Sequence, residues 1–120
     1  MTTKILREDD VLVVQYDGPL TFKTRAEVLD QVLPVIKEQG IRRLLIDCTG
    51  AWLSRENGKA AEAFASKLAS ARGLKSTAVA FLNPPYDYAT PVELTAPIIG
   101  FRVQRFFNRQ RALEWLRSAA

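Results

Sequence analysis

The sequence contains no histidine and only one cysteine, Cys48, among its 120 residues. Without histidine, the chain cannot assemble a Ser-His or Cys-His catalytic pair or a metal site with imidazole ligands. A single cysteine cannot form an internal disulfide or a cysteine-rich metal cage. The apolar runs are far shorter than the roughly 18 residues that a membrane-spanning helix needs. These absences exclude much of familiar enzymology and predict a cytoplasmic protein without a metal, a cofactor or a membrane span.

The rest of the composition is typical of a soluble globular protein. Hydrophobic residues make up 48% of the chain and charged residues 25%, which are ordinary values. A chain of 120 residues predicts one domain over residues 1–120. The last twenty residues carry the net charge of +4, because five arginines there accompany one glutamate. No nucleic-acid-binding signature lies among these arginines, so we expect them to solvate the surface, and any binding role for them stays open.

Apolar spacing predicts a strand hairpin followed by a helix. Residues 4–8 and 11–17 form two strands, and the short acidic turn between them favours antiparallel pairing. A helical stripe follows the break at Asp17-Gly18-Pro19, and Gly40 ends the helix. Thr24 and Thr21 are rival starting points for this helix. The stripe consists of Phe22, Ala26, Leu29, Leu33 and Ile36.

The remaining sequence alternates between strands and helices. Residues 41–47 contain the apolar run Leu44-Leu45-Ile46, which predicts a central strand covered on both faces. We expect a loop at 48–53, a helix at 54–72, a strand at 77–82, a short helix from Thr90 to Gly100, a strand at 101–107 and a helix capped by Asn108. This order predicts an α/β fold: a mixed sheet of about five strands, an N-terminal antiparallel hairpin with the remainder parallel, covered by about four helices.

Three short segments carry a resemblance to a known family. They are Gly18-Pro19-Leu20 after the second strand, Leu44-Leu45-Ile46-Asp47-Cys48-Thr49-Gly50 at the central strand, and Ala112-Leu113-Glu114-Trp115-Leu116 after Phe107. With the order of elements, they resemble the STAS family, the sulfate-transporter and anti-sigma-factor-antagonist domains, and in particular its small stand-alone bacterial proteins. The resemblance implies a non-enzymatic regulatory module that binds a protein partner.

The resemblance also implies what the chain lacks. In anti-sigma-factor antagonists of the family, a kinase partner phosphorylates a serine in an Asp-Ser-Ser/Thr-Gly run after the central strand. Here that run falls on Arg55-Glu56-Asn57-Gly58, which keeps only the glycine. Ser54 is the nearest hydroxyl and is expected to cap the following helix, and whether it is phosphorylated stays open. Glu56 is expected to stabilise the first turn of that same helix.

Candidate binding residues follow the strands, because ligands of open parallel sheets collect beyond the carboxyl ends of the strands. Asp17, Thr21, Asn83 and Asp87 belong to this wider edge. We expect a partner or ligand to contact Asp47, Thr49, Gly50, Trp52, Ser54, Arg55, Glu56, Lys59, Tyr86 and Tyr88.

Each of the more conspicuous residues also has a structural interpretation. Trp52 is either an exposed contact or a cover for the end of the sheet. Cys48 is interpreted as a small buried hydrophobe rather than a nucleophile. Asp47 and Asp87 could form an acid/base pair, but aspartates in such places usually bond nearby backbone amides. The segment from Asn83 to Tyr88 is either a stiff aromatic surface or a rigid turn.

Two functional hypotheses remain. The first is a protein-binding module, acting on a partner or on a second copy of the chain through the surface from Trp52 to Lys59. The second is a carrier or sensor of a small apolar or anionic, lipid-like ligand, held in a cleft at the carboxyl ends of the strands. An enzyme ranks third, because the sequence shows no catalytic arrangement.

Overall fold

The computed structural model describes residues 2–54, 56 and 58–118. Their strands form one sheet in the order β1-β2-β3-β4-β5. The strands are β1 (Thr2–Glu8), β2 (Val11–Leu20), β3 (Arg43–Leu53), β4 (Ala78–Leu82) and β5 (Arg102–Phe106). The helices are α1 (Phe22–Gln39), α2 (Gly58–Ala69), α3 (Thr90–Ile99) and α4 (Arg109–Ser118), and a 3-10 turn spans Arg72–Leu74.

The sheet has the predicted mixed topology. β1 pairs with β2 in antiparallel fashion, and every later pair is parallel. β3 lies in the middle, and Leu45 on this strand is completely buried. The predicted fold class, with its N-terminal hairpin and its central strand, is confirmed.

Helices cover both faces of the sheet. Residues of α1, α2 and α3 pack with Val14, Leu44 and Phe81 into the larger core cluster. α4 contributes Ala112 and Leu116 to a second cluster on the opposite face, around Leu45. Side chains alternate between the faces along a strand, so the neighbours Leu44 and Leu45 enter different clusters. None of the helices in the described residues is long and apolar enough to cross a membrane.

The predicted loop at residues 48–53 is wrong, because β3 continues to Leu53. β2 likewise continues to Leu20, and the two extensions pair in register, with Pro19 opposite Trp52. Asp17-Gly18-Pro19 has the local pattern of a break between elements. Among the described residues, the pairing of β2 with β1 ends where Thr2 lies opposite Asp17. Pro19 therefore lies beyond that pairing, where its missing N–H costs the sheet no hydrogen bond.

The structure decides between the two predicted starting points of α1, and it places the ends of α2 differently from the prediction. Thr21, not Thr24, caps α1, and its hydroxyl accepts a hydrogen bond from the Thr24 N–H at 3.1 Å. α2 begins at Gly58 rather than Ser54 and ends at Ala69. As predicted, Gly40 ends α1 in the left-handed conformation, with φ of 63°.

Two of the five residues predicted for the buried stripe of α1, Leu29 and Ile36, are buried. Phe22, Ala26 and Leu33 are only half-buried. The fully buried positions of the helix are Arg25, Val28, Leu29, Val32 and Ile36. A charged side chain thus occupies one end of an otherwise apolar stripe.

Candidate functional site

The end of β3 and the residue that follows it, residues 51–54, project beyond β4 and are held by β2 alone among the described strands. We call this segment the β3 tip. The Ser54 N–H donates to the Leu20 carbonyl at 3.0 Å, so the backbone pairing extends to its last residue. Trp52 is 59% exposed and Leu53 is 44% exposed. The tip therefore presents two adjacent apolar side chains on a backbone fixed by strand pairing.

An irregularity in the pairing sets the direction of these side chains. Gln15 lies opposite Asp47 but Asp17 lies opposite Gly50, so β3 carries one extra residue at this point. Such a bulge reverses which residues face each side of the sheet. Beyond it, Leu53 lines a cleft beside α1, and alternation places Trp52 on the opposite face. The exposed-contact interpretation of Trp52 agrees with this geometry.

Glu56 follows the tip and holds the start of α1. Its carboxylate accepts hydrogen bonds from the backbone N–H groups of Phe22 and Lys23, the latter at 3.2 Å. The predicted role for Glu56 in the first turn of α2 is therefore wrong, because α2 begins only at Gly58. The predicted helix cap at Ser54 is wrong for the same reason. Lys59 is exposed in the first turn of α2, whereas Arg55 and Asn57 lie outside the described residues.

Asp47, Thr49 and Gly50 lie in a separate polar cup of about 420 Å³. Asp47 accepts from the Thr49 hydroxyl at 2.6 Å and lies 3.5 Å from an Arg109 nitrogen. Asn83 Nδ2 donates to the Thr49 hydroxyl at 2.9 Å. The polar side chains that line the cup thus bind one another through hydrogen bonds and an ion pair.

Asp17 completes the cup, and its carboxylate lies against the Cα of Gly50, where a Cβ would overlap it. Asp87 lines the cleft beside α1 instead. Asp47 and Asp87 therefore face different cavities, and the structure does not bring them together as an acid/base pair.

The two tyrosines of the segment after β4 have opposite environments. Tyr86 is 89% exposed, whereas Tyr88 is 3% exposed. The Tyr88 ring packs edge-on against Phe81 and Tyr16, with ring centres 5.3 and 6.5 Å away. Tyr88 is therefore a core residue and cannot offer its ring to a partner at the surface.

Cys48 is buried among the larger core cluster, with 1% of its surface exposed. Burial raises the pKa of its thiol from 9.0 to about 12. A thiol that remains protonated is a weak nucleophile. This environment agrees with the interpretation of Cys48 as a small buried hydrophobe.

The structure also places a buried charge that the sequence reasoning missed. Arg25 is only 4% exposed, and its Nη2 donates to the Tyr88 carbonyl at 2.9 Å. Its guanidinium carbon lies 3.9 Å from the ring centre of Tyr88, 4.4 Å from that of Phe64 and 5.2 Å from that of Phe22. The sequence contains one sign of this burial, because the spacing of Arg25 from Val28, Leu29 and Val32 places all four residues on one face of a helix.

Comparisons with known proteins agree with this architecture. The family model of the STAS domain matches residues 3–52. No curated protein sequence matches the chain significantly. Several solved structures share the fold, and because the three described below have sequence identities under 25% they bear on the fold alone.

The anti-sigma factor antagonist SpoIIAA in its unphosphorylated form is 12% identical, with a TM-score of 0.59 over 97% of this chain and 98% of its own. An uncharacterised protein of Shewanella loihica with a SpoIIAA-like fold is 22% identical, with a TM-score of 0.53 over 96% and 92% of the two chains. A Thermotoga maritima protein provisionally named an anti-sigma factor antagonist is 12% identical, with a TM-score of 0.56 over 96% and 94%. The predicted resemblance to the STAS family is thus confirmed in sequence over residues 3–52, and the fold is similar to that of SpoIIAA over nearly the whole chain.

Proposed function

We propose that the protein is a non-enzymatic regulatory module that binds a protein partner through the β3 tip and the start of α2. The observation that carries this proposal is the exposure of Trp52 and Leu53 on a rigidly paired backbone. Tryptophan is strongly enriched among residues that dominate binding energy at protein interfaces. A rigid presentation reduces the entropy lost on binding.

The neighbouring chemistry supports binding rather than catalysis. Cys48 is buried with a raised pKa, and the Asp47 carboxylate is engaged by Thr49 and Arg109. The fold is that of an anti-sigma factor antagonist, which favours a protein as the partner. We propose that the module acts in the cytoplasm and that its partner is either another protein or a second copy of this chain.

A capture experiment tests the surface. The tagged protein, its Trp52→Ala variant and its Ile98→Ala variant are used as baits in an extract of the native host. Ile98 is the matched control, because it is 83% exposed and lies at the far end of α3, where it lines a small cleft with Arg72 and Lys75. We expect one partner that is retained by wild type and Ile98→Ala and lost by Trp52→Ala.

The partner is then purified and its Kd is measured for all three proteins. Removing a central aromatic contact typically weakens binding by at least about 2 kcal/mol, which is roughly a 30-fold rise in Kd. Equal Kd values for wild type and Trp52→Ala, with folding intact, would exclude the β3 tip as the binding surface. Sedimentation of the purified chain distinguishes self-association, which the same two variants then map.

A further inference from the structure

Arg25 is the one charged side chain among the described residues that is buried, and it has no carboxylate partner among them. None of their ion pairs includes it. Its Nε atom is buried without any hydrogen-bond acceptor. Aromatic faces and the Tyr88 carbonyl offset part of the cost of burying the cation. A free N–H donor on a buried cation is nevertheless expensive, and it is the kind of group that an anion completes.

Two cavities meet at Arg25. An internal cavity of about 70 Å³ lies beneath α1, α2 and α3. A cleft of about 240 Å³ lies at the start of α1 and is also lined by Leu20, Phe22 and Leu53. Arg25 and Tyr88 line both. These two side chains therefore separate the cleft from the interior, and an anion at Arg25 lies where the two spaces meet.

The lining and the volume of the internal cavity determine which tail an anion bound at Arg25 can have. Apart from Arg25 and the tyrosines Tyr16 and Tyr88, its lining is apolar, with valine, leucine, isoleucine and phenylalanine side chains. Its volume is about that of two water molecules at roughly 30 Å³ each, so it has room for a tail of two or three carbons. Burial raises the pKa of Tyr16 and Tyr88, so their hydroxyls remain neutral and Arg25 supplies the charge.

We propose that Arg25 is the anchor of an internal binding site for a short-chain carboxylate, which accepts a hydrogen bond from Nε and places its apolar tail in the cavity. A monoanionic carboxylate fits the buried Nε donor, whereas a phosphate dianion would bring more charge into an apolar interior. Glu56 and Asp87 line the cleft outside, and they disfavour a position of the anion further out. The cleft shares Leu53 and Ser54 with the β3 tip, but Arg25 and the internal cavity lie outside the tip, so this proposal does not rest on the proposed function.

Titration of the full-length protein with butyrate tests the site by NMR, with the Arg25 side-chain Nε–H resonance as the reporter. We expect a saturable shift of this resonance. Butyramide, which has the same shape without the charge, should bind at least about tenfold more weakly. Formate, which lacks the tail, should also bind more weakly, and octanoate should gain nothing over butyrate.

Variants complete the test. Arg25→Met should abolish butyrate binding, whereas Ile98→Ala, which lies outside both cavities, should bind butyrate as wild type does. An Arg25 Nε–H resonance that does not move at saturating butyrate would overturn the proposal, and this readout uses wild type even where Arg25→Met fails to fold. Equal binding of butyrate and butyramide would overturn the assignment of a carboxylate. Tighter binding of octanoate than of butyrate would overturn the assignment of a short tail.

Discussion

The contact between Glu56 and the start of α1 gives the sharpest stability prediction. In Glu56→Ala, the N–H groups of Phe22 and Lys23 lose their carboxylate acceptor. Loss of a helix-capping acceptor costs about 0.5–2 kcal/mol, and loss of a negative charge at the positive end of the helix dipole adds about 0.3–1 kcal/mol. Because Thr21 still caps Thr24, we expect the free energy of unfolding to fall by about 1.5 kcal/mol in total.

Urea denaturation measures this change directly, with Glu62→Ala as the matched control. Glu62 is an exposed glutamate on α2, and its removal should change stability by less than about 0.5 kcal/mol. Glu56→Gln keeps an acceptor oxygen without the charge and should fall between Glu56→Ala and wild type. A change of about 1.5 kcal/mol corresponds to a decrease in Tm of roughly 6 °C for a domain of this size.

Amide hydrogen exchange locates the effect. In Glu56→Ala, the amides of Phe22 and Lys23 should exchange faster, while those of the first turn of α2 should keep their wild-type rates. The reasoning is refuted if Glu56→Ala is as stable as Glu62→Ala, or if protection is lost in α2 and retained at the start of α1.

Three further predictions concern the core and the polar cup. Cys48 should react with Ellman's reagent only after unfolding, and rapid reaction of the native thiol would contradict its burial. Because the pKa of this thiol is raised from 9.0 to about 12, the stability that it contributes should decline as pH rises from 9 towards 12. Gly50→Ala should destabilise the protein by about 0.5–1.5 kcal/mol, because the new Cβ overlaps the Asp17 carboxylate and forces that side chain out of its rotamer. Asp17→Ala should recover most of that loss, and additive losses of the two substitutions in urea denaturation would contradict the overlap. Arg105 donates to Glu93 and lowers the pKa of that carboxyl below 4.5. In Arg105→Ala, NMR titration should find a higher pKa for Glu93 than in wild type. The small stabilisation by the pair, under about 1 kcal/mol, should be lost as pH falls below 4.5.

Local sequence signals predicted the parts of the fold that depend on local physics. The apolar run Leu44-Leu45-Ile46 identified the central strand, because a strand covered on both faces has a continuous apolar pattern. Gly40 and Gly100 end their helices in the left-handed conformation that glycine adopts without strain.

Long-range contacts explain what the sequence could not predict. The pairing of residues 17–20 with residues 50–53 turned an apparent break and an apparent loop into strand. Glu56 lies far from Phe22 in the chain, so no local sequence pattern predicts that the Glu56 carboxylate accepts from the first N–H of α1. The predicted α1 stripe omits Arg25 because a charged side chain is normally exposed on a helix, although aromatic rings and the Tyr88 carbonyl accommodate it in the core.

The candidate site was predicted as one surface, but the sheet divides it. Asp47, Thr49 and Gly50 line the polar cup, whereas Ser54 and Glu56 line the cleft beside α1. A strand bulge reverses the alternation of side chains, and the sequence carries no clear sign of it.

Site-specific crosslinking tests the central claim, that the β3 tip contacts a protein partner, most directly. A photoreactive phenylalanine analogue replaces Trp52 in one variant and Ile98 in another, and both are irradiated in cells of the native host. The account predicts one discrete crosslinked protein from position 52 and none from position 98. Crosslinks from position 98 alone, or the same products from both positions, would contradict it.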